Sequence, residues 1–199
     1  MINVKIHNDF YTRKDFHISM NRKISLFSYT IAATLLQLSF SCYSVESSWA
    51  TVVSVNSYFN LNYDVKDDIT LWNVDDFWAT PLEFKSKGAG DCEDFAIAKY
   101  FRLLELGVPK SSLAFSYVTL NENLSHMVLI YKDSEEKTWF VLDNYNPEIL
   151  PVSKRPDLHF IYSFNEDGVW VPDKGRIIGK LVSQIETIGK WRELLQKIK

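Results

Sequence analysis

Apolar residues change their spacing several times along this chain, and each change marks an element. Over residues 47–59, Trp49, Val52, Val53 and Phe59 fall on or near one face at helical spacing, which predicts a helix. Residues 60–68 are polar and turn-like. The aromatic-rich stretch 71–78 predicts a short helix begun near Asn73, with Pro81 soon after its end. The sharpest pattern follows, with Phe95, Ile97, Phe101, Leu104 and Leu106 forming a buried stripe. Asp91 is a good N-cap, and Asp94 three residues later gives a pattern like a capping box. Gly107 and Pro109 stop the helix. Cys92 therefore takes the first helical position.

Beyond this helix the pattern turns to strands. Residues 113–120 are β-rich, and the runs 126–131 and 138–143 flank a charged turn, as in an antiparallel hairpin. Short strands are predicted at 161–164, 169–171 and 176–178. A closing helix over 183–198 carries Ile185, Ile188, Leu195 and Ile198, and its Lys190, Arg192, Lys197 and Lys199 read as a solvated face.

Composition separates one segment from the rest. Asn21-Arg22-Lys23 precedes an apolar run from Ile24 to Phe40 and then small residues, the pattern of a secretory signal. The run is short for a membrane span, which needs about 20 residues. Residues 1–44 thus read as an N-terminal extension and signal peptide, or a retained anchor, and Met20 as the start. That places the chain in the periplasm, with one domain over residues 45–199. Hydrophobic content of 46% suits a packed core rather than a disordered chain, and a net charge of −3 gives no reason to expect nucleic acid.

Beyond the leader, Cys92 is the single cysteine. A thiol at a helix start sees the positive end of the helix dipole and free backbone N–H groups, a setting that lowers its pKa. If Tyr131 pairs with Thr138 in the hairpin, His126 falls opposite Asp143, with Cβ atoms about 4.5–5.5 Å apart. Cys92 would then be a nucleophile, His126 its base and later an acid, and Asp143 the group that fixes the imidazole tautomer. The Cys92 backbone N–H is a candidate oxyanion donor. Asp91, Glu93 and Asp94 crowd this thiol and oppose its ionisation. They either cap the helix or hold a cation, and hard oxygen ligands suit Ca²⁺ better than zinc.

Several stretches carry a family resemblance: 76–81, Gly88 to Lys99, His126-Met127-Val128-Leu129, Val141-Leu142-Asp143-Asn144, Arg155-Pro156-Asp157-Leu158 and Tyr162-Ser163-Phe164-Asn165. Together they resemble the bacterial transglutaminase-like cysteine proteinase family, and within it the LapG-type periplasmic proteases. The resemblance implies an α+β, papain/transglutaminase-like fold, with the nucleophile helix packed on an antiparallel sheet. It implies a cysteine endopeptidase with the triad Cys92, His126 and Asp143, and Ca²⁺ held by Asp91, Glu93 and Asp94. It further implies a large surface adhesin as substrate, cut near its N-terminus to disperse a biofilm, and an inner-membrane cyclic-di-GMP receptor that sequesters the protease. The residues also fit a transglutaminase-type acyl transferase, because both chemistries pass through one thioester, or an inactive calcium-binding envelope module.

Overall fold

The structure is a computed structural model and describes residues 47–198 apart from Glu122. The leader predicted over residues 1–44 lies outside the described residues. Helix α1 (Ser47–Asn62) is followed by strand β1 (Asp64–Val65), α2 (Asp68–Trp72), α3 (Pro81–Lys87), β2 (Ala89–Gly90) and α4 (Cys92–Glu105). Seven strands come next: β3 (Leu113–Leu120), β4 (Leu124–Lys132), β5 (Trp139–Leu142), β6 (Leu150–Pro151), β7 (Leu158–Asn165), β8 (Gly168–Asp173) and β9 (Arg176–Ser183). Helix α5 (Gly189–Ile198) closes the described chain.

The seven strands form one antiparallel sheet in the order β6-β5-β4-β3-β7-β8-β9, while β1 and β2 make a separate parallel pair. Helix α4 packs against the centre of the large sheet. Its Phe95, Tyr100 and Leu103 meet Phe115 of β3, Met127 and Leu129 of β4, and Trp191 of α5 in one core. A smaller cluster, with Ala114, Val118, Val128, Ile130 and Val141, is built from residues of the alternate parity on the same strands. The architecture is α+β, with the helix that begins at Cys92 packed on an antiparallel sheet.

Helix α4 begins at Cys92 and ends as the sequence predicts: Gly107 has φ +86°, and Val108 N–H reaches Leu103 O. Its start is less conventional, because the Asp91 side chain makes no capping hydrogen bond. Glycine shapes the approach to this helix. Gly88 closes α3 at φ +67°, and a Cβ on Gly90 would lie 2.7 Å from Asp94 and Phe84 atoms.

The structure corrects three sequence readings. The helix expected to begin near Asn73 ends there. Asp67 caps its start through Thr70 N–H, and Asn73 adopts the left-handed conformation that terminates it. Pro81 begins a helix, α3, behind a full capping box formed by Thr80 and Glu83. At the other end, residues 176–183 continue as strand β9, so the closing helix is limited to Gly189–Ile198. Trp191 and Leu194 are its buried residues. Two of its lysines are tied down rather than merely solvated: Lys190 Nζ donates to Asp76 O at 2.6 Å and Lys197 Nζ to Trp78 O at 2.7 Å.

The third correction concerns hairpin register. Tyr131 pairs with Phe140, not Thr138, and Lys132 with Trp139. The pairing has slipped by two residues, because Thr138 belongs to the turn and its carbonyl accepts from Asp133 N–H. Extending this register places Tyr145, not Asp143, opposite His126. A slip of two preserves side-chain parity, so His126 and Asp143 remain on a diagonal that long side chains can span.

Candidate active site

Asp143 follows the last residue of β5, and its surroundings fix it in several directions. Its Oδ1 accepts from His126 Nε2 at 2.8 Å and from Tyr145 N–H at 2.9 Å; its Oδ2 accepts from Arg155 Nη2 at 2.8 Å. Asn60 of α1 donates to its carbonyl at 2.7 Å. Burial pushes the Asp143 carboxyl pKa up, but the His126 hydrogen bond and charge, with Tyr145 N–H and Arg155, more than reverse this and hold it at about 2. Asp143 is therefore a fixed anion.

The His126 ring is buried and stacks on Tyr145, with centroids 4.6 Å apart and planes 5° from parallel. Tyr145 reaches this position from the bend that follows β5, where its N–H also donates to Asp143. With Nε2 committed to Asp143, the other ring nitrogen, Nδ1, is buried without a hydrogen-bond partner. A bound carboxylate on one side and a free nitrogen on the other is the arrangement of a general base.

Cys92 and His126 line one cleft of about 500 Å³, whose walls include Trp78, Tyr117 and Tyr162. The last two rings stack at 5.4 Å. A larger groove, about 700 Å³, lies among α1, α3 and α4 and does not include Cys92. Cys92 is the free cysteine among the described residues. Its Sγ donates to Glu93 Oε2 at 3.1 Å. Burial, and then the adjacent Glu93 charge, push the Cys92 thiol pKa up, while Met127 N–H opposes this. The helix start thus fails to lower this thiol's pKa as its position alone predicts, because burial, and after it a carboxylate one residue away, outweigh the dipole.

The acidic residues divide into two groups. Asp68, Asp91 and Glu93 bring carboxylate oxygens within 4.8 Å of one another. Asp94 is outside this set and fully buried, with Oδ1 accepting from Ala79 N–H at 2.7 Å. Asp68 also holds the next segment in place by accepting from Phe77 N–H. Burial, followed by the charges of Glu93, Asp94 and Asp68, raises the Asp91 pKa to about 9. One oxygen each of Asp68, Asp91 and Asp94 is buried without a partner. Mutually repelling carboxylates with orphaned oxygens are the donor set of a hard cation.

The sequence reading places Cys92, His126, Asp143, Asp91, Glu93 and Asp94 in this region and misses Asp68, Tyr145 and Arg155. Asp68 is distant in sequence and lies in a helix the pattern placed wrongly. Tyr145 needed the correct register. The Arg155-Pro156-Asp157 run was visible, but its second ion pair with Asp143 depends on how residues 143–157 fold back.

A thiol at a helix start, facing the same cleft as a carboxylate-bound imidazole on an antiparallel sheet, defines a cysteine-protease class of site. The comparisons identify the lineage. The model of the bacterial transglutaminase-like cysteine proteinase family, BTLCP, matches residues 36–174, and the chain belongs to that family. Among solved structures, EGTA-treated LapG from Legionella pneumophila is 38% identical, with a TM-score of 0.64, and the match covers 75% of this chain and 78% of that one. Calcium-bound LapG from the same organism is 36% identical, with a TM-score of 0.63, over 75% of this chain and 80% of that one. No curated protein matches the chain.

Proposed function

We propose that this protein is a calcium-dependent cysteine endopeptidase in which Cys92 is the nucleophile, His126 the base and acid, and Asp143 the orienting anion. One observation carries the reading: His126, which lines the same cleft as Cys92, leaves its Nδ1 unpartnered while Asp143 holds its Nε2. In the proposed cycle the Cys92 proton moves to Nδ1, and sulfur attacks the scissile carbonyl carbon. The Cys92 backbone N–H faces the developing oxyanion. His126 then gives the proton to the leaving amine, leaving a thioester. It next takes a proton from water, whose oxygen attacks the thioester carbon, and returning that proton to sulfur releases the new carboxyl terminus.

Calcium dependence rests on two supports. The relative has calcium-bound and EGTA-treated forms, and here Asp68, Asp91 and Glu93 converge, with one oxygen each of Asp68 and Asp91 unpartnered. These three residues would hold the ion, and Asp94 would support them from the core. The ion would supply positive charge beside the thiol. Glu93 is the link, because the carboxylate that accepts the thiol proton is also a member of the acidic cluster. When Glu93 is engaged elsewhere, the thiol is left with His126 Nδ1 as its acceptor.

The biological setting follows from the family resemblance alone. The proposed substrate is the N-terminal region of a large surface adhesin, cut in the periplasm to release cells from a biofilm. An inner-membrane cyclic-di-GMP receptor is the proposed sequestering regulator, and residues 1–44 the proposed export signal or anchor. Incubating the protein with an adhesin N-terminal fragment, calcium and a free amine, and weighing the products, tests this reading. An N-terminal fragment with a new free carboxylate, beside a C-terminal fragment with a new free amine, supports the endopeptidase; amine adducts alone would establish acyl transfer instead.

A further inference from the structure

The bond that joins a histidine Cβ to its imidazole is a broad, roughly two-fold rotor, so rotamer preference alone does not fix the plane of the ring. His126 is held at Nε2 by Asp143 Oδ1, and a single hydrogen bond at one ring atom still lets the ring rock about that contact. A base needs more, because the direction of Nδ1 follows the plane of the ring.

Tyr145 meets the His126–Asp143 pair twice. Its ring lies parallel to the imidazole, with centroids 4.6 Å apart and planes 5° from parallel. Its N–H donates at 2.9 Å to Asp143 Oδ1, the same oxygen that accepts from His126 Nε2. The side chains of His126 and Asp143 are both 0% exposed, whereas Tyr145 is 49% exposed. A half-exposed ring thus lies over a fully buried pair. The bend that carries this ring is pinned on both sides by α1. Asn60 Nδ2 donates to Asp143 O at 2.7 Å, and Asn56 Nδ2, one turn earlier, donates to Pro147 O at 3.0 Å.

The stack acts differently on the two protonation states of His126. Once the imidazole holds the Cys92 proton it is a cation, and the electron-rich face of a tyrosine within about 6 Å attracts it. The contact is therefore stronger in the charged state through which the reaction passes than in the resting one, which speeds chemistry rather than substrate binding. Keeping water away also strengthens the hydrogen bond beneath the ring.

We propose that Tyr145 is a positioning residue of the triad, whose ring sets the plane of the His126 imidazole and screens the His126–Asp143 hydrogen bond from water. The inference rests on the endopeptidase reading above, which makes His126 the base. The role belongs to the aromatic face, so phenylalanine can fill it and an aliphatic side chain cannot.

The test compares wild type, Tyr145→Phe and Tyr145→Ala as full chains with calcium, by two measurements. The first is kcat and KM on an adhesin N-terminal fragment. The second is the exchange rate with water of the His126 Nε2 proton, followed by NMR in protein labelled with ¹⁵N-histidine and assigned by its absence in His126→Gln. Tyr145→Ala is expected to lower kcat at least tenfold with KM within twofold, and to speed exchange of that proton at least tenfold. Tyr145→Phe is expected to keep at least half of the wild-type kcat and the slow exchange. Melting temperatures verify folding; should Tyr145→Ala fail to fold, Tyr145→Leu, which fills more of the space without a ring, decides by the same measurements. Wild-type kcat and exchange in the ringless variant would overturn the proposal, as would a loss confined to KM or an equal loss in Tyr145→Phe. If wild type cleaves no fragment, the endopeptidase reading fails, and the exchange rates alone then decide whether the ring screens the pair.

Discussion

Cys92 Sγ donates its hydrogen bond to Glu93 Oε2 at 3.1 Å, while His126, which lines the same cleft, leaves its Nδ1 without a partner. The neighbouring carboxylate thus holds the thiol in its protonated form. Glu93→Gln removes that charge and is expected to speed alkylation of Cys92 by iodoacetamide several-fold at pH 7 in the presence of a chelator. The same variant should lose peptidase activity in calcium, because it also removes a proposed ion ligand. Stopped alkylation assays across pH check the first effect, and an alkylation rate equal to wild type would reject the Glu93 brake.

Asp68 and Asp94 should respond differently to neutralisation. Asp68 contributes to the three-carboxylate cluster, whereas Asp94 uses Oδ1 to hold Ala79 N–H in the core. Asp68→Asn is expected to weaken calcium binding tenfold or more by titration calorimetry. Asp94→Asn should weaken it less and cost about 1–3 kcal/mol of stability through the disturbed buried hydrogen bond. The reverse order would return Asp94 to the ligand set in place of Asp68.

Arg155 and Asp143 form an ion pair whose side chains are 3% and 0% exposed. Arg155→Met strips one partner from a buried carboxylate and should destabilise the protein by about 3–5 kcal/mol in urea unfolding. Arg155→Lys should recover only part of this loss, since one ammonium cannot reproduce the fork that also binds Asp157.

The same carboxylate predicts a pH dependence. Asp143 titrates at about 2 in the folded chain, below the ordinary carboxylate value of about 3.9. A lowered pKa means that the unfolded chain takes up the proton first as pH falls. The contribution of Asp143, about 2 kcal/mol, is therefore complete above about pH 4 and is lost as pH drops toward 2. Denaturant unfolding between pH 5 and pH 2 should show a shallower decline for Asp143→Asn than for wild type. Parallel declines would remove Asp143 as a source of acid sensitivity.

How much of this was legible in sequence depended on whether the signal was local. Helix α4 carries its own stop residues and stripe, so its span and the position of Cys92 could be read directly. The helix Pro81–Lys87 is equally local, with Thr80 and Glu83 in a capping-box pattern, but a proline just after an aromatic helix-like run reads as a terminator as readily as a first-turn residue. The hairpin register depends on how the 133–138 turn closes, which side-chain alternation constrains only to within two residues. The His126–Asp143 pair survived that slip because parity survived it. Asp68 and Arg155 owe their roles to partners far away in sequence, Asp91 and Glu93 for the first and Asp143 for the second.

The account stands on Cys92 as a nucleophile whose use depends on calcium. Its most direct test is cleavage of an adhesin N-terminal fragment by the purified full chain, in calcium or excess EGTA, beside Cys92→Ala. The prediction is discrete cleavage by wild type in calcium, loss of at least a hundredfold in EGTA, and no cleavage by Cys92→Ala under either condition. Equal cleavage by wild type and Cys92→Ala, or a wild-type rate indifferent to EGTA, would contradict it.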